Sequence, residues 1–442
     1  MTRNHWTRLG LFLALAGAAF PQDYDLLLQG GHVIDPKDRI SAVRDVAIKD
    51  GKVAAVAPKL DPKTAFKVVN VAGLYVTPGL VDIHVHVFAG MGERNSYAGD
   101  NSIYPDGFTL RSGVTTVADA GCAGWRNFEE FKSRIMERSR TRVLAFINIV
   151  GHGMRGGQYE QNLNDMEVRP TLDMAQTHKG LIVGVKSAHY SGPEWDPYIR
   201  AVEVGKRANI PVMVDFGSGR VRTIAELFTK HFRPGDIFTH CYAGGGRGEV
   251  TPEGRINPAI FEAQKRGIIF DIGHGGGSFV FRTAVQAFKE GYYPDSISTD
   301  LHIGSMNAGM KDMANLMSKF LALGMKLDDV ILRSTWNPAK EIQRQELGHL
   351  SVGATADVAV FRLEKGAFGF VDQSGARLKG NQRLTAEMTL RDGKIVWDLN
   401  GLARPDWTTL PKDYRSTGDP RWDGSSRGGG GGRGANKAST KK

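Results

Sequence analysis

The chain has 442 residues, 41% of them hydrophobic and 24% charged, the composition of an ordinary globular protein long enough for a large barrel plus a smaller domain. Its formal charge of +10 sits mostly at the ends: residues 425–442 carry five basic groups (Arg427, Arg433, Lys437, Lys441, Lys442) and no acid, and the first 22 add Arg3 and Arg8 without an acid. The body keeps only a small excess, so nucleic acid is not an expected partner, and two cysteines, Cys122 and Cys241, exclude a disulfide framework and read as buried free thiols.

Arg3 and Arg8 precede an apolar run from Leu9 to Phe20 that ends in small residues around Ala16-Gly17-Ala18. This layout predicts a secretory signal peptide over 1–22, cut near Ala18. The apolar run is too short to span a bilayer as a permanent helix, so an exported protein, periplasmic or secreted and without a stable membrane anchor after cleavage, is expected.

Next come "YDLLLQGGHVID" and "RDVAIKDGKVAAVAP", the second a hairpin around Asp50-Gly51. "AEMTLRDGKIVWD" repeats the device around Asp392-Gly393. Residues 23–79 and 345–400 are therefore expected to form one small β-sandwich domain from both termini. Between them, eight short apolar runs (81–87, 113–121, 142–150, 181–189, 210–217, 236–242, 267–275 and 296–302) alternate with helical patterns such as "DPYIRAVEVGKRANI". Near-continuous apolar strands alternating with helices indicate a parallel sheet, and eight repeats predict an α/β fold, a (β/α)8 TIM-like barrel over 80–344. Residues 401–424, with Trp407, Tyr414 and Trp422, are read as a segment wrapping the surface, and 425–442 as a disordered Gly/Lys/Arg-rich tail.

Barrel chemistry belongs at the C-terminal ends of the strands. There the runs carry His84 and His86, then Asp119 and Cys122, His152 and Arg155, Lys186 and His189, Asp215, His240, Asp271 and His274, and Asp300 and His302. Each has an ordinary structural explanation, such as a hydrogen-bonded core histidine or an Asp capping the next helix. Taken together, His84, His86, Lys186, Asp215, His240, His274 and Asp300 recur near the same end of successive strands. Imidazole and carboxylate are the ligand set of Zn, Mn or Fe(II), so a metal site is expected. In "GLVDIHVHV" strict alternation puts Asp82 on the same face as His84 and His86, where it reads as a supporting group. Lys186, buried in an apolar run, tends to lose its proton. A neutral amine can add carbon dioxide and, as a carbamate, bridge two metal ions.

"PGLVDIHVHV", "GVTTVADAG", "GVKS", "THCY", "FDIGHGGGSF", "STDLH" and "TWNPAK", together with the flanking Asp-Gly-Lys hairpins, resemble the amidohydrolase superfamily of metal-dependent hydrolases over nearly all of 24–400. "THCY" and "FDIGHGGGSF" look most like its deacetylase branch, near dihydroorotase and N-acyl-amino-acid deacylases. The resemblance implies that His84, His86 and Asp300 bind one metal, that carboxylated Lys186 bridges, and that His240 binds a second. It also implies that Asp300 shuttles the proton and that His274 contacts the substrate. One or two divalent ions are implied, Zn first, Mn or Fe as alternatives.

One position departs from the pattern, because the fifth strand, "PVMVDFG", offers Asp215 where a histidine is expected. Three readings stand: Asp215 is itself the metal ligand, which is favoured because it is in register; His152 or His189 reaches in from a loop; or the site works with one metal. Arg155 is a candidate for holding a substrate carboxylate, with His152 and Tyr190 on neighbouring loops. The reaction expected is hydrolysis of a linear N-acyl or cyclic amide of a small molecule by a metal-bound hydroxide. An acetyl-ester or lactone hydrolase and a non-catalytic scaffold of the same fold are the alternatives, and a homo-oligomer is left open.

Overall fold

A parallel sheet forms the centre of the molecule. The computed structural model describes residues 22–90, 94–217, 221–244 and 246–424. The signal-peptide segment, save Gln22, and the basic tail lie outside the described residues. Seven parallel strands follow one another in chain order: Leu80–Val85, Val114–Gly124, Arg142–Asn148, Ile182–Ser187, Val212–Val214, Ile237–Phe238 and Ile269–Phe270. The eighth run closes the ring through single bridges, Ser296 beside Asp271 and Leu301 beside Val85. It forms no regular ladder because side chains hold it instead. Asp82 accepts from the Thr299 amide at 3.0 Å and from its hydroxyl, and Asp271 accepts from the Ser296 and Ser298 hydroxyls at 2.8 and 2.7 Å.

The helices between strands follow from local chemistry. Asp196–Ala208 opens with an acid and a proline in its first turn and ends with Lys206 and Arg207, complementing the helix dipole. It stops at Asn209, whose left-handed backbone (φ 56°) caps it. Tyr198, Ala201, Val204 and Gly205 form its buried stripe against the barrel wall. On the other side of the strands Val81, Ile83, Leu144, Phe146, Val183 and Met213 fill the barrel floor, which Ala339 and Ile342 close from below.

A register shift between Asp82 and Val85 changes which side the first strand presents. Asp82 to Val85 spans three steps where the neighbouring strand, Val117 to Asp119, spans two. Ile83 therefore packs into the floor while His84 and His86 reach the cavity above it. Asp82 does not share their face; it turns to the eighth run and lines a separate cavity with Phe108, Val114 and Met313. The alternation argument fails there because one extra residue inverts the parity of everything after it.

Strands from both termini make one eight-stranded mixed sheet. Tyr75–Pro78 pairs antiparallel with the start of Val358–Val371, joining the two ends of the chain. Both predicted hairpins are present, with positive φ at each turn pair: Asp50 48° and Gly51 73°, Asp392 50° and Gly393 75°. The turns touch, and a Cβ on Gly393 would come within 2.8 Å of the Gly51 Cα. Asp357 ties this sheet to the barrel by accepting from Arg391 (3.3 Å), the Asp392 amide (2.9 Å) and Arg142 of the third barrel strand. Trp422 packs into the core of the sheet, and its carbonyl accepts from the Ile395 amide at 2.8 Å. Cys122 and Cys241 are buried and unpaired. No helix among the described residues is long and apolar enough to cross a membrane.

Candidate metal centre

Three histidines at the mouth of the barrel are each held through Nδ1. His84 Nδ1 lies 2.9 Å from Thr239 Oγ1, His86 Nδ1 lies 3.1 Å from Cys122 Sγ, and His240 Nδ1 lies 2.6 Å from the Gly273 carbonyl. Their Nε2 atoms face a cavity of about 290 Å³ lined also by Lys186, Asp215 and Asp300. Asp300 Oδ1 sits 3.0 Å from His86 Nε2 and 3.7 Å from His84 Nε2. That oxygen is buried. His84, His240 and Asp300 each bring one ligand atom within 4.8 Å of the others. Rings held through Nδ1, with a buried carboxylate oxygen facing Nε2 of His84 and His86, form an arrangement that suits a divalent cation.

The electrostatics agree. Burial, with the Lys186 charge next, lowers His84 to about 3, which favours the neutral imidazole that a metal ligand requires. Burial alone would raise Asp300, but the facing His84 and His86 outweigh it and hold the carboxylate well below its usual range. Burial lowers Lys186, whose Nζ lies 3.2 Å from His84 Nε2 and 3.5 Å from Met213 Sδ.

The backbone is shaped for the site. His189, His240 and Asp300 are non-glycine residues in left-handed conformation, φ 60°, 63° and 50°. The "GHGG" turn comes close enough to support them only without side chains. A Cβ on Gly273 would meet His240 Nδ1 at 2.7 Å, and one on Gly275 would meet Asp300 Oδ2 at 2.2 Å.

Across the cavity Asp215 is heavily paired. Its Oδ1 lies 3.3 Å from Arg247 Nη1, and its Oδ2 lies 3.4 Å from His189 Nε2 and 3.5 Å from His240 Nε2. His189 Nδ1 meets Glu160 behind it. Burial opposes the charge on His189, but Glu160 and Asp215 raise it to about 9.

The Amidohydrolase family profile matches residues 277–396. A deacetylase of Brucella anthropi is 33% identical over 344 residues, 76% of this chain and 83% of that protein. The chain belongs to the amidohydrolase family. A deacetylase of Enterococcus faecalis is 29% identical, over 84% of this chain and 99% of that protein. Crystal structures of an adenine deaminase and a dihydroorotase superpose with TM-scores of 0.78 and 0.75 at 28% and 30% identity. They cover 85% and 84% of this chain, and 100% and 99% of theirs. Membership makes this chain a hydrolase acting on carbon–nitrogen bonds, and its buried His/Asp clusters are consistent with a divalent metal site.

Of the residues expected in the site of this amidohydrolase, His84, His86, Lys186, Asp215, His240 and Asp300 come together on one cavity. His274 does not. It is fully buried and stacked on Phe279, with its ring between the Gly275 carbonyl (2.9 Å) and Lys319 Nζ (2.7 Å). Burial and the lysine lower it to about 3, so it is a neutral acceptor for Lys319 and not a group poised to meet substrate. The three loop candidates also lie outside the lining. His152 meets Tyr159 edge to face at 5.2 Å, Arg155 lies over the same ring, and the Tyr190 hydroxyl donates to Glu194.

Sequence reasoning missed Tyr97, Arg247 and His302 as lining residues, and kept His189 only as an alternative. Tyr97 packs its ring 4.3 Å from that of His86. His302 was visible in "STDLH". Arg247, inside "AGGGRGEV", carries no pattern beyond its place just after a strand end.

Proposed function

We propose that this amidohydrolase removes an acyl group from a small molecule by hydrolysing a linear N-acyl or cyclic amide. The observation that carries this reading is the buried Asp300 Oδ1 facing the Nε2 atoms of His86 at 3.0 Å and His84 at 3.7 Å. The deacetylase relatives support the choice of bond. His84, His86, His240 and Asp300 would hold a divalent ion, Zn first, with Mn or Fe as alternatives. When bound, such an ion lowers the pKa of a water and polarises a carbonyl.

The chain's own residues do the rest. Asp300 accepts the proton from the attacking water and delivers it to the leaving nitrogen. Its Oδ1 faces the histidines, while its Oδ2 lies against the Gly275 backbone, which fixes the carboxylate plane. Burial favours the neutral amine of Lys186, which would add carbon dioxide at Nζ, lose a proton, and offer a carbamate oxygen to the ion. Tyr97 and Arg247 border the space in which the acyl group must lie. The test is a hydrolysis screen of N-acetyl amino acids, cyclic amides and acetyl esters with Zn- and Mn-loaded protein, alongside intact mass measured under bicarbonate. Amide turnover and a gain of one carbon dioxide per chain are expected. Exclusive ester turnover contradicts the bond assignment, and an unshifted mass contradicts the carbamate.

A further inference from the structure

We infer that this enzyme binds one divalent ion per chain and that Arg247 supplies, as a fixed cation, the positive charge a second ion would bring. The inference rests on the hydrolase reading above and concerns the far side of the same cavity.

The two sides differ in whether a guanidinium faces the carboxylate. Near His84 and His86, the buried Asp300 Oδ1 faces imidazole nitrogens at 3.0 and 3.7 Å. Across the cavity Asp215 faces two imidazoles and, in addition, an arginine. Oδ1 is paired with the Arg247 guanidinium at 3.3 Å, and Oδ2 lies against His189 at 3.4 Å and His240 at 3.5 Å. Glu160, on the other nitrogen of His189, orients that ring onto Asp215. A second divalent ion on Asp215 and His240 would compete with Arg247 for the Asp215 carboxylate and sit beside its guanidinium. Two cations sharing one carboxylate repel, so the residues present do not fit a second ion.

Arg247 also suits a catalytic part. Its side chain is about a quarter exposed, at 23%, and lines the cavity that holds Lys186 and Asp300. Asp215 aims the guanidinium, and a planar fork of N–H donors can receive a carbonyl oxygen as negative charge develops on it. This departs from the expectation that Asp215 is itself a metal ligand. In this reading Asp215 is a positioning residue for Arg247.

The test is metal stoichiometry in wild-type protein saturated with Mn²⁺ and freed of excess, read by elemental analysis and by electron paramagnetic resonance. One ion per chain with an uncoupled Mn²⁺ spectrum is expected. Two ions with an exchange-coupled spectrum overturn the single-ion inference and leave the hydrolase reading intact, whereas no bound ion overturns both. Arg247→Met should bring the Mn²⁺ count above one, because Asp215 is released. It should also lower kcat by roughly 10²-fold or more, as expected for loss of an oxyanion donor. Arg247→Lys should keep the single-ion count and part of the rate. An Arg247→Met protein with unchanged kcat and one ion per chain removes the assigned role of Arg247.

Discussion

Asp300 is placed by strain and by neighbours at once. Its backbone is left-handed at φ 50°, its amide donates to the His84 carbonyl at 2.7 Å, and its side chain faces two histidines. Asp300→Asn keeps the shape and removes the proton acceptor, so kcat should fall by about 10²–10⁴-fold while bound metal persists; steady-state kinetics with metal analysis checks this.

Glu249 offers a separate test of the electrostatics. Its carboxylate is buried, neither oxygen bonds another residue among the described residues, and burial raises it to about 7 from 4.5. The folded state therefore binds the proton more tightly than the unfolded state. Stability is full below the unfolded value and falls as pH rises through about 7. Glu249→Gln should match wild type in urea denaturation near pH 4 and gain on the order of 1–3 kcal/mol near pH 8.

At this scale the ligand-type residues were legible, because His-X-His and strand-end Asp can be read from spacing. Arg247 and Tyr97 were not, since loop residues enter a cavity by paths that spacing does not encode. His274 was misplaced for a related reason. Lys319, 45 residues on, captures its ring, and no local pattern announces that contact.

At the scale of elements, the turn after the seventh strand sets the site's precision. Gly275→Ala would place a Cβ against Asp300 Oδ2 at a residue whose φ is 54°. Metal affinity and kcat should both drop while far-ultraviolet circular dichroism stays that of wild type. A variant with normal kcat would show that the turn yields freely.

The eight strand runs were readable because a parallel barrel buries both faces of each strand in apolar neighbours. The eighth, with Ser296, Ser298 and Thr299, needed Asp82 and Asp271 to hold it. The bulge after Asp82 was invisible, since no Gly or Pro marks it and period-2 logic assumes an unbroken register.

Across the whole molecule, the sheet from both termini anchors the barrel by side chains of opposite charge. Asp357 is paired with Arg142 and Arg391, all three largely buried. Asp357→Ala leaves Arg142 and Arg391 with Asp392 as their remaining carboxylate and should cost about 1.5–3 kcal/mol in chemical denaturation, with kcat for the residual folded protein unchanged. The joining of the two ends was legible from the twin Asp-Gly-Lys hairpins, whereas the tie through Asp357 spans distant segments and appears only in three dimensions.

Metal and fold are linked as well, because an ion that binds only the native state raises its stability. The most direct test of the account is hydrolysis of N-acetyl amino acids by purified protein before chelation, after removal of metal, and after reloading with Zn²⁺ or Mn²⁺. The account predicts turnover that vanishes on stripping and returns on reloading; turnover that survives complete removal of metal would contradict it.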